Sequence, residues 1–159
     1  MKITQVLVAE HRVMLSVFDQ IERALPSLTT LPEARMLATI IEGMLEGHGQ
    51  AESELAYLAL DHVLEDRGQL DRLHEEHQEI DSSLHGVHSA TSFADARRLL
   101  AAAILASRKH FLFEEQLVFP LLERVLGEDT LNELTSAMIE RMHLSSPGSY
   151  PAGTSPDCR

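Results

Sequence analysis

Residues 99–121 read LLAAAILASRKHFLFEEQLVFPL. Leu99, Ala103, Ala106, His110, Glu114, Leu117 and Leu121 recur at intervals of four and three, the period of one helix face. A face otherwise made of Leu and Ala is one a helix turns inward, yet His110 and Glu114 stand in it. The segment His110-Phe111-Leu112-Phe113-Glu114 has a twin in a second helical stretch, His48-Gly49-Gln50-Ala51-Glu52. Four residues of α-helix rotate by about 40° and rise by about 6 Å, so the imidazole and carboxylate of each HxxxE pair share one face. Imidazole beside carboxylate is a ready pair of metal ligands, and a second copy points to a site for two metals.

The flanking sequence supplies the rest of a bundle. A first helix from about Thr4 to Leu25 carries Leu7, His11, Met14, Phe18, Ile21 and Leu25, and Pro26 ends it. Thr30-Leu31-Pro32-Glu33 has the form of a capping box with proline in the tolerant first turn. The second helix, to about Val63, carries Leu37, Ile41, Met44, His48, Glu52, Leu55, and then Leu58 or Ala59, before a break at Asp66-Arg67-Gly68. The third carries Leu70, Leu73, His77, Ile80, Leu84 and Val87. Ser92-Phe93-Ala94-Asp95 is the N-cap signal of the fourth, in which Pro120 should bend the helix or loosen its bonding. Gly127 reads as a C-cap, and Thr130-Leu131-Asn132-Glu133 as the opening of a short fifth helix to about His143.

The expected fold is therefore all-α: an up-down-up-down four-helix bundle with a short C-terminal helix over residues 1–143, and a Ser/Pro/Gly-rich mobile tail over 144–159. Its halves repeat. His11 precedes His48 by 37 residues and His77 precedes His110 by 33, so each half supplies a His and then HxxxE. A pseudo-twofold axis through a shared site is implied.

Bulk properties narrow the partners. The chain has 159 residues, 44% hydrophobic and 24% charged, with a formal net charge of -12, which argues against nucleic acid or an anionic membrane. No N-terminal run resembles a signal peptide and no apolar stretch is long enough to span a bilayer. The single cysteine, Cys158, cannot form an intrachain disulfide. The cytoplasm is the expected compartment.

His11, His48, Glu52, His77, His110 and Glu114 all interrupt inward-facing apolar stripes. Two buried carboxylates in one core need a common compensation, and two divalent cations bridged by those carboxylates provide it. The pattern H…HxxxE…H…HxxxE resembles the signature of the hemerythrin-like family, the HHE cation-binding domains. Glu10-His11 and Glu76-His77 both give that family's "EH", and Val118-Phe119-Pro120 is similar to its apolar-Phe-Pro segment. The resemblance implies a non-heme di-iron centre, two iron ions with bridging carboxylates, that binds dioxygen reversibly or does related chemistry with NO or peroxide. Two departures stand out. Respiratory hemerythrins carry a further third-helix histidine four residues before the one matched by His77, where this chain has Leu73; His74, one residue on, is the candidate seventh ligand. Oxygen carriers place an aspartate five residues after the fourth-helix histidine, where this chain has Glu115, but Glu114 continues the inward stripe.

Plainer readings exist for the neighbours. His74 is a ligand, a donor to one, or a solvated helix residue. His85 and His88 read as surface or packing residues, and His62 and His143 as cations near helix ends. Glu54 and Glu65 read as solvated, Glu115 as solvated or as orienting a ligand histidine. Tyr57 reads as packing or as lining a dioxygen pocket, Phe111 and Phe113 as core. The function expected is a binder of dioxygen, NO or peroxide for storage, sensing or stress response. The alternatives are a di-iron enzyme of peroxidase, oxidase or iron–sulfur repair type, and a metal-free helical interaction module. Ferritin-like oxidase sites, which use ExxH pairs and more glutamates, fit less well.

Overall fold

The computed structural model describes residues 1–61 and 68–145. The helices are α1 (Ile3–Ala24), α2 (Leu31–Ala51), α3 (Leu58–Asp61), α4 (Gly68–Ser89), α5 (Phe93–Phe113), α6 (Phe119–Val125) and α7 (Glu128–Ser145), with no strand among the described residues. α2 runs into α3 through a π-helical turn, Glu52–Tyr57, and α5 into α6 through another, Glu114–Val118. The rods of the bundle are thus α1, α2 with α3, α4, and α5 with α6, while α7 lies along α1. This is the all-α bundle the stripes predict. No helix among the described residues is long and apolar enough to cross a membrane.

Side-chain caps set the starts of α2 and α5. The capping box at α2 forms: Glu33 N–H donates to Thr30 Oγ1, and Thr30 N–H donates to the Glu33 carboxylate at 2.8 Å. Ser92 caps α5 by accepting from Asp95 N–H at 3.1 Å. The last helix differs from expectation. α6 ends at Leu126 in extended backbone, and the Gly127 carbonyl accepts the Leu131 N–H, so Gly127 precedes α7 and does not cap the helix before it. Thr130 to Glu133 accordingly lie inside α7, and Ser145, expected in the tail, is its last residue. Residues 146–159, His62, Glu65 and Asp66-Arg67 fall outside the described residues, as does the side chain of His143.

The apolar core is in two pieces. One gathers Met14, Phe18, Ile21, Ala38, Ile41, Leu84, Leu100 and Ile104; the other Ile3, Leu7, Leu55, Leu60, Leu73, Val118, Leu122 and Leu131. On every rod the polar members of the stripe fall between them. Each fully buried Leu, Ile or Phe contributes about 1.5–3 kcal/mol, and these two layers support a central one rich in polar groups.

The two π turns correct the stripes beyond each HxxxE. A π turn holds an extra residue, so the inward face moves by one position. Leu117, expected inside, is 52% exposed, and of the two alternatives Leu58 and Ala59, Leu58 is 50% exposed and Ala59 half-buried. Tyr57, Leu60, Val118 and Leu122 are buried in their place. Pro120 explains part of this. It has no N–H for the carbonyl of Gln116, and its ring crowds that carbonyl, so the loosened turn falls just before it.

Candidate metal centre

α1 brings His11 to the central layer, α2 His48, α4 His77 and α5 His110, while Glu52 and Glu114 are the first residues of the two π turns. His11, His48, Glu52 and Glu114 are fully or almost fully buried, as is His110. The imidazoles meet in pairs through Nε2: His11 and His48 at 2.9 Å, His77 and His110 at 2.8 Å. Glu52 lies between the pairs. Its Oε1 is 2.9 Å from His48 Nε2 and 3.6 Å from His11 Nε2; its Oε2 is 3.4 Å from His77 Nε2 and 3.9 Å from His110 Nε2. Glu114 Oε2 is 3.4 Å from both His11 Nε2 and His110 Nε2. The donor atoms form two groups, each within 4.8 Å: His11, His48, Glu52 and Glu114, and Glu52, His77 and His110. Glu52 belongs to both.

A ring of outer carboxylates fixes the imidazoles. Glu10 meets His48 Nδ1 at 2.8 Å, Glu76 meets His110 Nδ1 at 3.0 Å, and Glu115 meets His11 Nδ1 at 2.9 Å. Each crosses from one rod to another. Arg72 Nε donates to Glu76 in turn at 2.8 Å. In a neutral imidazole, an Nδ1–H donated outward leaves Nε2 facing the centre with its lone pair, the form a metal would bind. Tyr57, buried, donates its hydroxyl to Glu114 Oε1. Phe111 stacks on His11 with ring centroids 4.0 Å apart.

The electrostatics are those of cationic groups held around anions. Burial pushes the His11 imidazole down, but the closeness of Glu114 and Glu52 outweighs it and raises the pKa to about 9. His48 likewise loses to burial and gains more from Glu52 and Glu10, reaching about 10. His110 is raised by Glu52 and Glu114 against burial. Burial favours protonated Glu52, yet His48 and His11 hold it well below the usual carboxylate range, while burial and the Glu52 charge push Glu114 up. Tyr57 is pushed up by burial and by both carboxylates, so it stays a neutral donor.

Three buried carboxylate oxygens, Glu52 Oε1, Glu52 Oε2 and Glu114 Oε2, accept no hydrogen bond. The imidazole nitrogens lie 2.9–3.9 Å from them without the geometry of a hydrogen bond. An unsatisfied buried carboxylate is among the costliest groups in a core. A cation would satisfy all three, and two imidazole nitrogens 2.9 Å apart suit neighbouring corners around a metal with bonds of about 2.1 Å. The residues therefore fit a metal.

The structure brings together His11, His48, Glu52, His77, His110 and Glu114, the six drawn from the stripes. His74 stands apart: it is exposed, belongs to neither group, and presents its ring edge-on to Tyr57 at 5.9 Å. Glu115 takes the orienting role, His88 pairs with Glu42 at 2.9 Å, and Glu54 pairs with Arg141. Sequence reasoning missed the parts played by Glu10 and Glu76, although the repeated "EH" dipeptide was the signal for them. It also gave Tyr57 no part as the partner of Glu114. No curated protein and no solved structure matches the chain. The family model for the hemerythrin HHE cation-binding domain matches residues 2–122, a span that holds all six residues of the centre, and the chain belongs to that family.

Proposed function

We propose that the six residues hold two iron ions and that the centre binds dioxygen or a related small ligand, NO or peroxide. The observation that carries this reading is Glu52, whose two oxygens face different histidine pairs while neither accepts a hydrogen bond. His11, His48, Glu52 and Glu114 would hold one ion, and Glu52, His77 and His110 the other. Imidazole with carboxylate, and no thiolate among these residues, suits iron. Iron there would supply reversible redox change and a coordination position for a small ligand. His74 is left out of the set.

The chain's own groups would then divide the work. Glu10, Glu76 and Glu115 hold protons at the outer Nδ1 atoms and so keep the inner Nε2 atoms free to bind. Phe111, stacked on His11, and Phe119, 5.6 Å from the same ring, keep water from that half. Tyr57 fixes Glu114 and offers a hydroxyl proton at the edge of the centre. The second group has three protein donors against four in the first, which supports small-ligand binding on the His77 side.

The test is anaerobic reconstitution with iron(II), metal analysis, and optical spectra before and after dioxygen. About two irons per chain and a new charge-transfer band support the reading. One iron or fewer, or no spectral change, contradicts it. Steady-state turnover with peroxide would move the centre from carrier or sensor to enzyme.

A further inference from the structure

The two halves of the centre differ in what covers them. The repeat that matches His48 to His110 and Glu52 to Glu114 also matches Gly49 to Phe111 and Ser53 to Glu115. In the His11 half, Phe111 lies on the imidazole and Glu115 closes its Nδ1, and His11 is 0% exposed. In the other half Gly49 has no side chain to lay on His77; a Cβ built there would stand 3.8 Å from His77 Cε1. Ser53 is too short to do what Glu115 does. Among the described residues nothing hydrogen-bonds His77 Nδ1, and the side chain of His77 keeps 21% exposure.

A cavity of about 460 Å³ lies beside Gly49 and Ser53, the positions matched to Phe111 and Glu115. Gly49, Ser53, His77 and His110 are among the residues that line it. Behind His77 Nε2, at 3.4 Å, is the unsatisfied and fully buried Glu52 Oε2. The wall also carries Glu42, Glu46, Glu54 and Asp81. Glu42 is matched by His88 and Glu54 by Arg141, whereas Glu46 and Asp81 are exposed and have no ion-pair partner among the described residues. A second cavity, beside Glu115, is a poorer way in: of its two carboxylates Glu115 is held by His11 and Glu123 by Lys2, Arg12 stands in its wall, and Phe119 lies against His11.

We propose that divalent cations reach the centre through the cavity beside His77, with Gly49 the residue that keeps it open and Glu46 and Asp81 the charges that draw cations in. The inference rests on the six residues being metal ligands. Unpaired carboxylates on the wall of a cleft raise the local concentration of cations there. A cation meets His77 first, the one histidine of the centre that is partly exposed, and exchanges water for imidazole before it reaches Glu52.

The experiment follows cobalt(II) uptake by the metal-free protein in a stopped-flow spectrometer, with metal analysis at the endpoint. Gly49→Phe restores the cover that Phe111 gives the other half. It should slow uptake by about tenfold or more, because filling then needs a side-chain displacement, and still reach the wild-type endpoint. Glu46→Gln with Asp81→Asn changes only exposed charges and should slow uptake by about tenfold at low ionic strength, with a weaker dependence on salt. Val8→Phe, which fills the second cavity, should leave the rate unchanged. A wild-type rate in Gly49→Phe, or slowing in Val8→Phe, overturns the route. Should Gly49→Phe not fold, the double charge variant decides, and an unchanged rate at low salt overturns the route. An endpoint of one cobalt or fewer in the wild type would instead overturn the ligand assignment, so the two failures are distinct.

Discussion

Glu52→Gln keeps the shape of the side chain and removes its charge. Because Glu52 is the residue common to both donor groups, the change strikes both ions at once. Its Oε1 serves His48 and His11, its Oε2 His77 and His110. A bound ion stabilises the folded state by about 2.7 kcal/mol when free metal is a hundredfold above its Kd. Two ions at that level add about 5 kcal/mol, which for a chain of this size raises the melting temperature by about 10–20 °C. Glu52→Gln should lose most of that rise. His77→Ala, which removes a donor of one group and leaves the four of the other, should keep about half. The assay is a helix melt by circular dichroism, with and without metal, for each variant. Taking the difference between melts cancels the effect of each substitution on the metal-free fold. A wild-type rise in Glu52→Gln, or equal losses in Glu52→Gln and His77→Ala, would refute the shared-carboxylate account.

Three further outcomes follow from the same geometry. The metal-free protein should lose stability as pH climbs. His11 and His48 have folded pKa values near about 9 and about 10, above an unfolded value of 6.5, so their contribution is complete below 6.5 and disappears as pH rises through 9 to 10; urea midpoints that stay level or increase from pH 6 to pH 10 would contradict this. Replacing Glu10, Glu76 or Glu115 with Gln should weaken metal binding by about 10–100-fold while the helices persist, measured by competition with a chelator; unchanged affinity in all three would remove the outer ring from the account. Tyr57→Phe leaves Glu114 Oε1 buried without its donor and should cost about 1–3 kcal/mol in the metal-free protein; an unchanged unfolding free energy would show that the contact carries no weight.

The sequence was most legible where periodicity and chemistry coincide. Leu7, His11, Met14, Phe18 and Ile21 share one buried face of α1 because nothing disturbs the 3.6-residue period there. Thr30 and Ser92 cap as their side chains require. The stripes slip at Leu58 and Leu117, because a π turn leaves no mark in hydrophobic spacing beforehand and moves the inward face by one position after it. Leu58 and Leu117 went outside for that reason, and Tyr57 came inside to meet Glu114. The six central residues were legible as polar breaks in apolar stripes. Glu10 and Glu76 were harder, since each sits beside one histidine in sequence and serves a different one in space. Gly127 misled because a glycine between two helices can end one or precede the next, and the sequence pattern is the same in both cases.

The two proposed ions would share Glu52. Anomalous diffraction at the iron edge, from crystals of protein reconstituted with iron(II), tests this most directly. The account predicts two peaks per chain, one against His11 and His48 and one against His77 and His110, with the Glu52 carboxylate between them. A single peak, or peaks that leave Glu52 to one side, would contradict it.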